Sequence, residues 1–111
     1  MARESLGDLE HLVLLALFRL GGHSYGVPIL AEISARTGRS VARPAVYIVL
    51  RRLEAKGLVT SKLGEATAER GGRAKRYFTL TSRGQRQLRA AREDLMSMWA
   101  NVGQRLSKTP S

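Results

Sequence analysis

Hydrophobic positions in this chain change their period from segment to segment. From Leu9 to Leu20 they are almost continuous, broken only by Glu10, His11 and Arg19. Asp8 suits an N-cap and Gly21-Gly22 a stop, so the segment is predicted as a helix. A helix that is apolar all round must be covered on more than one side, and in so small a chain a partner subunit is one source of the second cover. A second helix opens at Ser24 or Tyr25 and runs to about Thr37, with Val27, Leu30, Ala31 and Ile33 at helical spacing and Pro28 tolerated in its first turn.

A third helix is predicted over Ala42 to Lys56, ended by Gly57. At roughly 100° per residue, Ala42, Ala45, Val46, Val49, Leu50 and Leu53 share an arc of about 140°. Arg43, Tyr47 and Arg51, spaced i, i+4, i+8, form a ridge assigned to the other side, with Arg52 further round. Ile48 is apolar on this polar face, and the pattern does not account for it. "LVTSKL" and "KRYFTL" are predicted strands, paired as a hairpin through the polar loop "GEATAERGGRA". Thr81 or Ser82 then caps a last helix, Ser82 with Gln85 fitting a capping box. Leu88, Leu95 and Val102 recur every seven residues, beside Ala91, Met98, Trp99 and Leu106. Nothing remains in the chain to cover such a stripe except the first helix, so a partner helix is expected. The predicted organisation is mainly α with a small β-hairpin: residues 1–81 as a winged helix-turn-helix, 82–106 as a C-terminal dimerisation helix and 107–111 as a disordered tail.

Composition sharpens this picture through charge. The chain has 111 residues and a net charge of +10. Between Arg36 and Arg92 fifteen cations face three anions, so the basic character belongs to the middle of the chain. Most of these cations are Arg, which suits phosphate and guanine recognition. A field of this sign favours a polyanionic partner. There is no cysteine, no apolar run of transmembrane length and no signal-peptide pattern, which fits a cytoplasmic protein with no membrane partner.

The order helix, helix, helix, strand, basic loop, strand, helix is that of a winged helix-turn-helix. Such a fold lays the third helix in the major groove of double-stranded DNA. Arg43, at the start of that helix, is the candidate base reader; Ser40, Pro44, Tyr47, Arg51 and Arg52 supply further contacts, Arg51 and Arg52 as phosphate clamps. Arg70, Arg73, Lys75 and Arg76 ring Gly71-Gly72 at the hairpin tip, where low bulk and positive charge suit a sugar-phosphate backbone. Leu9, Val13, Leu88, Leu95, Met98, Trp99 and Val102 are the candidate dimerisation residues. His11 and His23 lack a further ligand at metal spacing, no cofactor motif is present, and no nucleophile elbow, phosphate-binding glycine loop or paired carboxylate suggests an enzyme.

Three blocks carry a resemblance. "LGDLEHLVLLALFRLGGHSYG" resembles the opening of the PadR-like transcriptional regulators, "AVYIVLRRLEAKGLV" their third helix and first wing strand, and "GRAKRYFTLTSRG" their second wing strand and last-helix cap. The likeness spans roughly Leu6 to Leu88. Its most specific part is the pattern formed by Tyr47, Leu50, Arg52, Leu53, Glu54, Gly57 and Leu58. The resemblance implies a homodimeric repressor or activator acting on a pseudo-palindromic operator, with the last helix paired to its symmetry mate. It also implies, for compact members, a small aromatic effector held between last-helix aromatic side chains. Trp99 lies about one turn beyond that position, which Leu95 fills, and plain dimer packing is its other reading. Tyr25-Gly26 matches the family pattern and is read as structural. Two alternatives stay open on the residues alone: a non-specific RNA-binding or nucleoid protein, and a winged helix used only for protein contact.

Overall fold

The computed structural model describes residues 6–64 and 74–107. Helix α1 (Asp8–Arg19) is followed by strand β1 (His23–Ser24), α2 (Gly26–Thr37), α3 (Arg43–Ala55), β2 (Val59–Leu63), β3 (Arg76–Leu80), α4 (Ser82–Trp99) and α5 (Gly103–Ser107). The winged helix-turn-helix order expected from the sequence is present, in a mainly helical protein with a small antiparallel sheet.

Among the described residues the sheet has three strands, not two, in the order β1-β3-β2. Val59 pairs with Leu80 and Leu63 with Arg76, while His23 and Ser24 add to the other edge opposite Thr79 and Phe78. The two-residue β1 is too short to leave a periodic signal. The Leu80 amide donates to the Gly22 carbonyl at 2.8 Å, and a ring nitrogen of His23 meets Thr79 Oγ1 at 2.9 Å.

One apolar core joins the helices to the sheet. Val13, Leu14 and Leu17 of α1 meet Ile29 and Ile33 of α2, Val46, Val49, Leu50 and Leu53 of α3, and Leu58, Val59 and Phe78 of the sheet region. Only Leu88 brings α4 into this cluster. Val46, Val49, Leu50 and Leu53 of the apolar arc predicted for α3 form its buried face, while Ala45 is half-buried and Ala42, the N-cap, is exposed. The helix ends in a Schellman motif: the Leu58 amide donates to Leu53 O and the Gly57 amide to Glu54 O, both at 2.9 Å, with Gly57 at φ 78°. That turn launches β2 directly from the end of α3 and fixes the wing's root against it.

Ion pairs tie the helices at their ends. Lys56 Nζ donates to both carboxylate oxygens of the buried Glu10 at 3.0 Å, joining the end of α3 to the start of α1. The Gly7 amide also donates to Glu10, at 2.8 Å, so Gly7 rather than Asp8 precedes the helix. Burial pushes the Glu10 carboxyl up, but the Gly7 hydrogen bond, Lys56 and the charge of Arg52 outweigh it and leave it below its ordinary value. Asp8 instead accepts from Arg39 at 2.7 Å.

The last helix departs from its expected length. Thr81 caps it, accepting from the Gly84 amide at 3.0 Å, so the expected Ser82–Gln85 capping box is replaced by a single Thr81 cap, Gly84 having no side chain to return the bond. α4 then stops at Trp99, and Asn101 at φ 64° turns the chain into the short α5. Asn tolerates that left-handed conformation better than most residues. The seven-residue repeat through Val102 thus crosses a helix break. The expected disordered tail lies, apart from Ser107, outside the described residues.

Candidate nucleic-acid interface

The exposed side of α3 follows from the buried one. Arg43, Pro44, Ile48, Arg51 and Arg52 are exposed, as is Ser40 in the preceding turn; Tyr47 is half-buried. The ridge Arg43–Tyr47–Arg51 is not uniform. Each step of four residues drifts about 40° around a helix. Arg43 therefore borders the buried stripe and is exposed because it opens the helix, while Tyr47 lies on the flank and Arg51 points most nearly outward.

Tyr47 corrects the simplest reading of that ridge. Its ring packs against the core and lies over Gly26, so close that a Cβ built on Gly26 would sit 2.5 Å from Tyr47 Cζ. The expectation that Gly26 is structural has its physical reason here: it leaves room for a ring from the neighbouring helix. Tyr47 couples α2 to α3 and is not a purely outward-facing contact.

Arg43 and Arg51 form no side-chain hydrogen bond or ion pair among the described residues, so their charge is unspent within the subunit. Arg52 forms no ion pair among the described residues, but its charge helps hold the Glu10 carboxyl below its ordinary value.

The wing's root stands beside α3. Ser61 of β2 donates from its amide and hydroxyl to Glu54 of α3, at 3.1 Å from the amide and 2.8 Å from the hydroxyl to Oε2. The Ser61 hydroxyl oxygen also accepts from Arg76 Nη1 at 2.9 Å. Arg76 is thus braced toward α3 through Ser61 and Glu54. Lys75 sits 4.6 Å above the Tyr25 ring, and Tyr77 packs edge-on to Tyr25 at 5.4 Å and stacks on His23 at 5.2 Å. This aromatic cluster fastens β3 to the start of α2, so Lys75 and Arg76 leave the root at defined places. Arg70 and Arg73, with Gly71 and Gly72, lie outside the described residues.

The proposed dimerisation residues divide. Val13, expected as a dimerisation residue, is fully buried inside the subunit and belongs to the common core. Leu88 is also a core residue, although it lines a cleft of about 630 Å³ between α1 and α4. Leu9 is half-buried against the core. Leu95, Met98 and Trp99 are exposed and Val102 is half-buried. Sequence reasoning did not name the matching residues on α1, Leu15 and Phe18, which are exposed and line the same cleft with Leu95, Met96 and Trp99. The signal was available: His11, Leu15 and Phe18 follow i, i+4, i+7 on the side of α1 away from Val13 and Leu17.

Among the described residues no helix is long and apolar enough to cross a membrane.

Comparison with known proteins agrees with this geometry. The model of the transcriptional regulator PadR-like family matches residues 13–90, well over half the chain. A PadR family transcriptional regulator from Eggerthella lenta is 27% identical, with a TM-score of 0.69 covering 92% of this chain and 88% of the other. A PadR family transcription regulator from Clostridium difficile superposes with a TM-score of 0.73 at 22% identity, over 90% of this chain and 99% of its own. A winged-helix DNA-binding protein from STIV shares the fold at 12% identity, with a TM-score of 0.70 over 88% of this chain and 98% of the other. Among curated proteins, none matches.

Proposed function

Because the chain belongs to the PadR-like family of transcriptional regulators, we propose that it binds a pseudo-palindromic DNA operator as a homodimer and acts as a repressor. One α3 enters the major groove of each half-site, with half-sites about one DNA turn apart. The observation that carries this reading is the exposed face of α3: Arg43, Arg51 and Arg52 stand on it beside a wing root that positions Lys75 and Arg76. Arg43 reads a base edge; Arg51, expected from the sequence to clamp a phosphate, is reassigned to a second base edge because it points most nearly outward on α3, while phosphate contacts from Arg52, Ser40 and the wing cations, Arg70 and Arg73 included, fix the register. Tyr47 acts mainly by holding α3 on α2, its hydroxyl adding a contact at the groove's edge.

The homodimer reading is supported by the apolar face of α1 and α4. Leu15, Phe18, Leu95, Met96 and Trp99 are each at least 40% exposed in the single subunit and converge on one cleft. A second copy of the chain covers it. A small planar aromatic effector entering this seam beside Trp99 would alter the spacing of the two α3 helices and release the operator; the cleft volume lies in the range of small-molecule sites.

Selection from a random duplex pool, followed by titration at fixed salt, tests the proposal. A two-fold symmetric motif bound by two copies of the chain is expected. Equal binding to all duplexes and to single-stranded RNA would refute it and favour a non-specific nucleic-acid-binding protein. Light scattering of the free protein reads the oligomeric state independently.

A further inference from the structure

Most of the large apolar side chains exposed on α1 and α4 gather at the cleft between them. Ile48 stands elsewhere. It is 54% exposed on α3, the helix whose opposite side carries the buried Val46, Val49, Leu50 and Leu53. Stepping about 100° per residue, Pro44, Ile48, Arg51 and Ala55 are the positions farthest from that stripe, each about 150–170° from its centre. Ile48 therefore occupies the middle of the outermost line of the helix, with Pro44 one turn before it and Arg51 just under one turn after.

Binary patterning places a polar residue at such a position unless a contact requires otherwise. Arg51 lies on this line, and Arg43 and Arg52 elsewhere on the helix are exposed as well, so its surroundings carry cations. The partner this surface suits by charge is a polyanion, which leaves an apolar side chain in need of an apolar group within that polyanion. In the major groove of duplex DNA one such group protrudes, the C5-methyl of thymine. Isoleucine is well formed for it. Branching at Cβ holds its χ1 in one strongly preferred rotamer on a helix, so the terminal carbons are presented at a fixed place.

We infer that Ile48 is a specificity-determining residue that packs against the methyl group of one thymine in each half-site, with Arg51 addressing the neighbouring base pair. The inference rests on the operator reading above and adds the base that this chain selects. A methyl contact of this kind is worth about fourfold in affinity per half-site, and about fifteenfold for a symmetric dimer.

The test uses the full chain and the duplex obtained by selection. Each thymine is replaced in turn by deoxyuridine, which removes only the methyl group, and binding is titrated at fixed salt. Wild-type protein is expected to lose about fourfold at one thymine per half-site and to be indifferent at the others. Ile48→Ala is expected to bind the thymine and deoxyuridine duplexes equally while melting like the wild type, since Ile48 is outside the core. If a motif is selected but contains no thymine, or every thymine is replaceable without cost, the inference is overturned and the operator reading stands. It is overturned equally if Ile48→Ala keeps the wild-type discrimination. If no duplex is preferred at all, both fall together.

Discussion

Replacing Gly26 by Ala should uncouple the two helices of the helix-turn-helix, and the effect can be worked from the structure. Gly26 opens α2 and is not among the glycines with positive φ, so alanine meets no backbone strain there. Alanine also restricts the unfolded chain, which by itself favours the folded state by up to about 1 kcal/mol. Against this stands one contact. The new Cβ would lie 2.5 Å from Tyr47 Cζ, 2.6 Å from its hydroxyl oxygen and 2.9 Å from Cε2. Carbon atoms in good contact sit about 3.5–4.0 Å apart, so ring and helix must part by about 1 Å. Overpacking of this size costs about 1–3 kcal/mol, which for a small domain lowers the melting temperature by several degrees per kcal/mol. Urea unfolding at one fixed protomer concentration measures the cost. The decisive comparison is the double-mutant cycle with Tyr47→Ala. In that background Gly26→Ala should cost nothing or stabilise, giving a coupling of at least about 1 kcal/mol. If Gly26→Ala destabilised both backgrounds equally, the ring would not be what glycine accommodates, and the role assigned to Tyr47 would be wrong.

The Glu10–Lys56 pair makes stability pH-dependent in a defined direction. Because the folded Glu10 carboxyl titrates below its ordinary value, its stabilisation is complete above the unfolded-state pKa and is lost as pH falls through the folded one. Glu10→Gln should cost about 1–3 kcal/mol near neutrality and flatten the acid limb of a urea-midpoint profile. Leu95→Glu combined with Phe18→Glu should leave a folded monomer in sedimentation, since both side chains are exposed within the subunit; retention of the dimer would place the interface elsewhere. Arg51→Ala should cost about 1–3 kcal/mol and relax the preference at one base position. Arg76→Ala should weaken all sequences alike and lower the slope of log affinity against log salt by about one, in titrations across several salt concentrations.

The order of elements was legible because each follows a distinct period, and turn residues mark the changes. The buried face of α3 follows from the spacing of Val46, Val49, Leu50 and Leu53 alone. What escaped had a physical reason in each case. Strand β1 is two residues long and owes its place to hydrogen bonds with β3, not to its own composition. The break after Trp99 lies where a seven-residue repeat runs on undisturbed, and only the backbone at Asn101 records it. Val13 could not be told from Leu15 while the whole of the first helix read as apolar; the two stand about 200° apart around α1, one in the core and one exposed.

The candidate site was half legible for a related reason. Charge and spacing identify which residues have the chemistry to meet DNA, but not which of them the fold already employs. Arg76 braces the wing root through Ser61, Lys75 rests on Tyr25, and Tyr47 fills the space over Gly26. Arg51 does none of these things and keeps its guanidinium outward. Ile48 gains a role in the same way. In the sequence it is an exception on a polar face. Once the helix is oriented, it is an exposed apolar side chain at the middle of the outermost line of α3, on a helix that also exposes Arg43, Arg51 and Arg52. A sequence breaks its own pattern most informatively where an outside surface completes it, and a groove that presents methyl groups amid anionic backbone supplies both halves of what this face lacks.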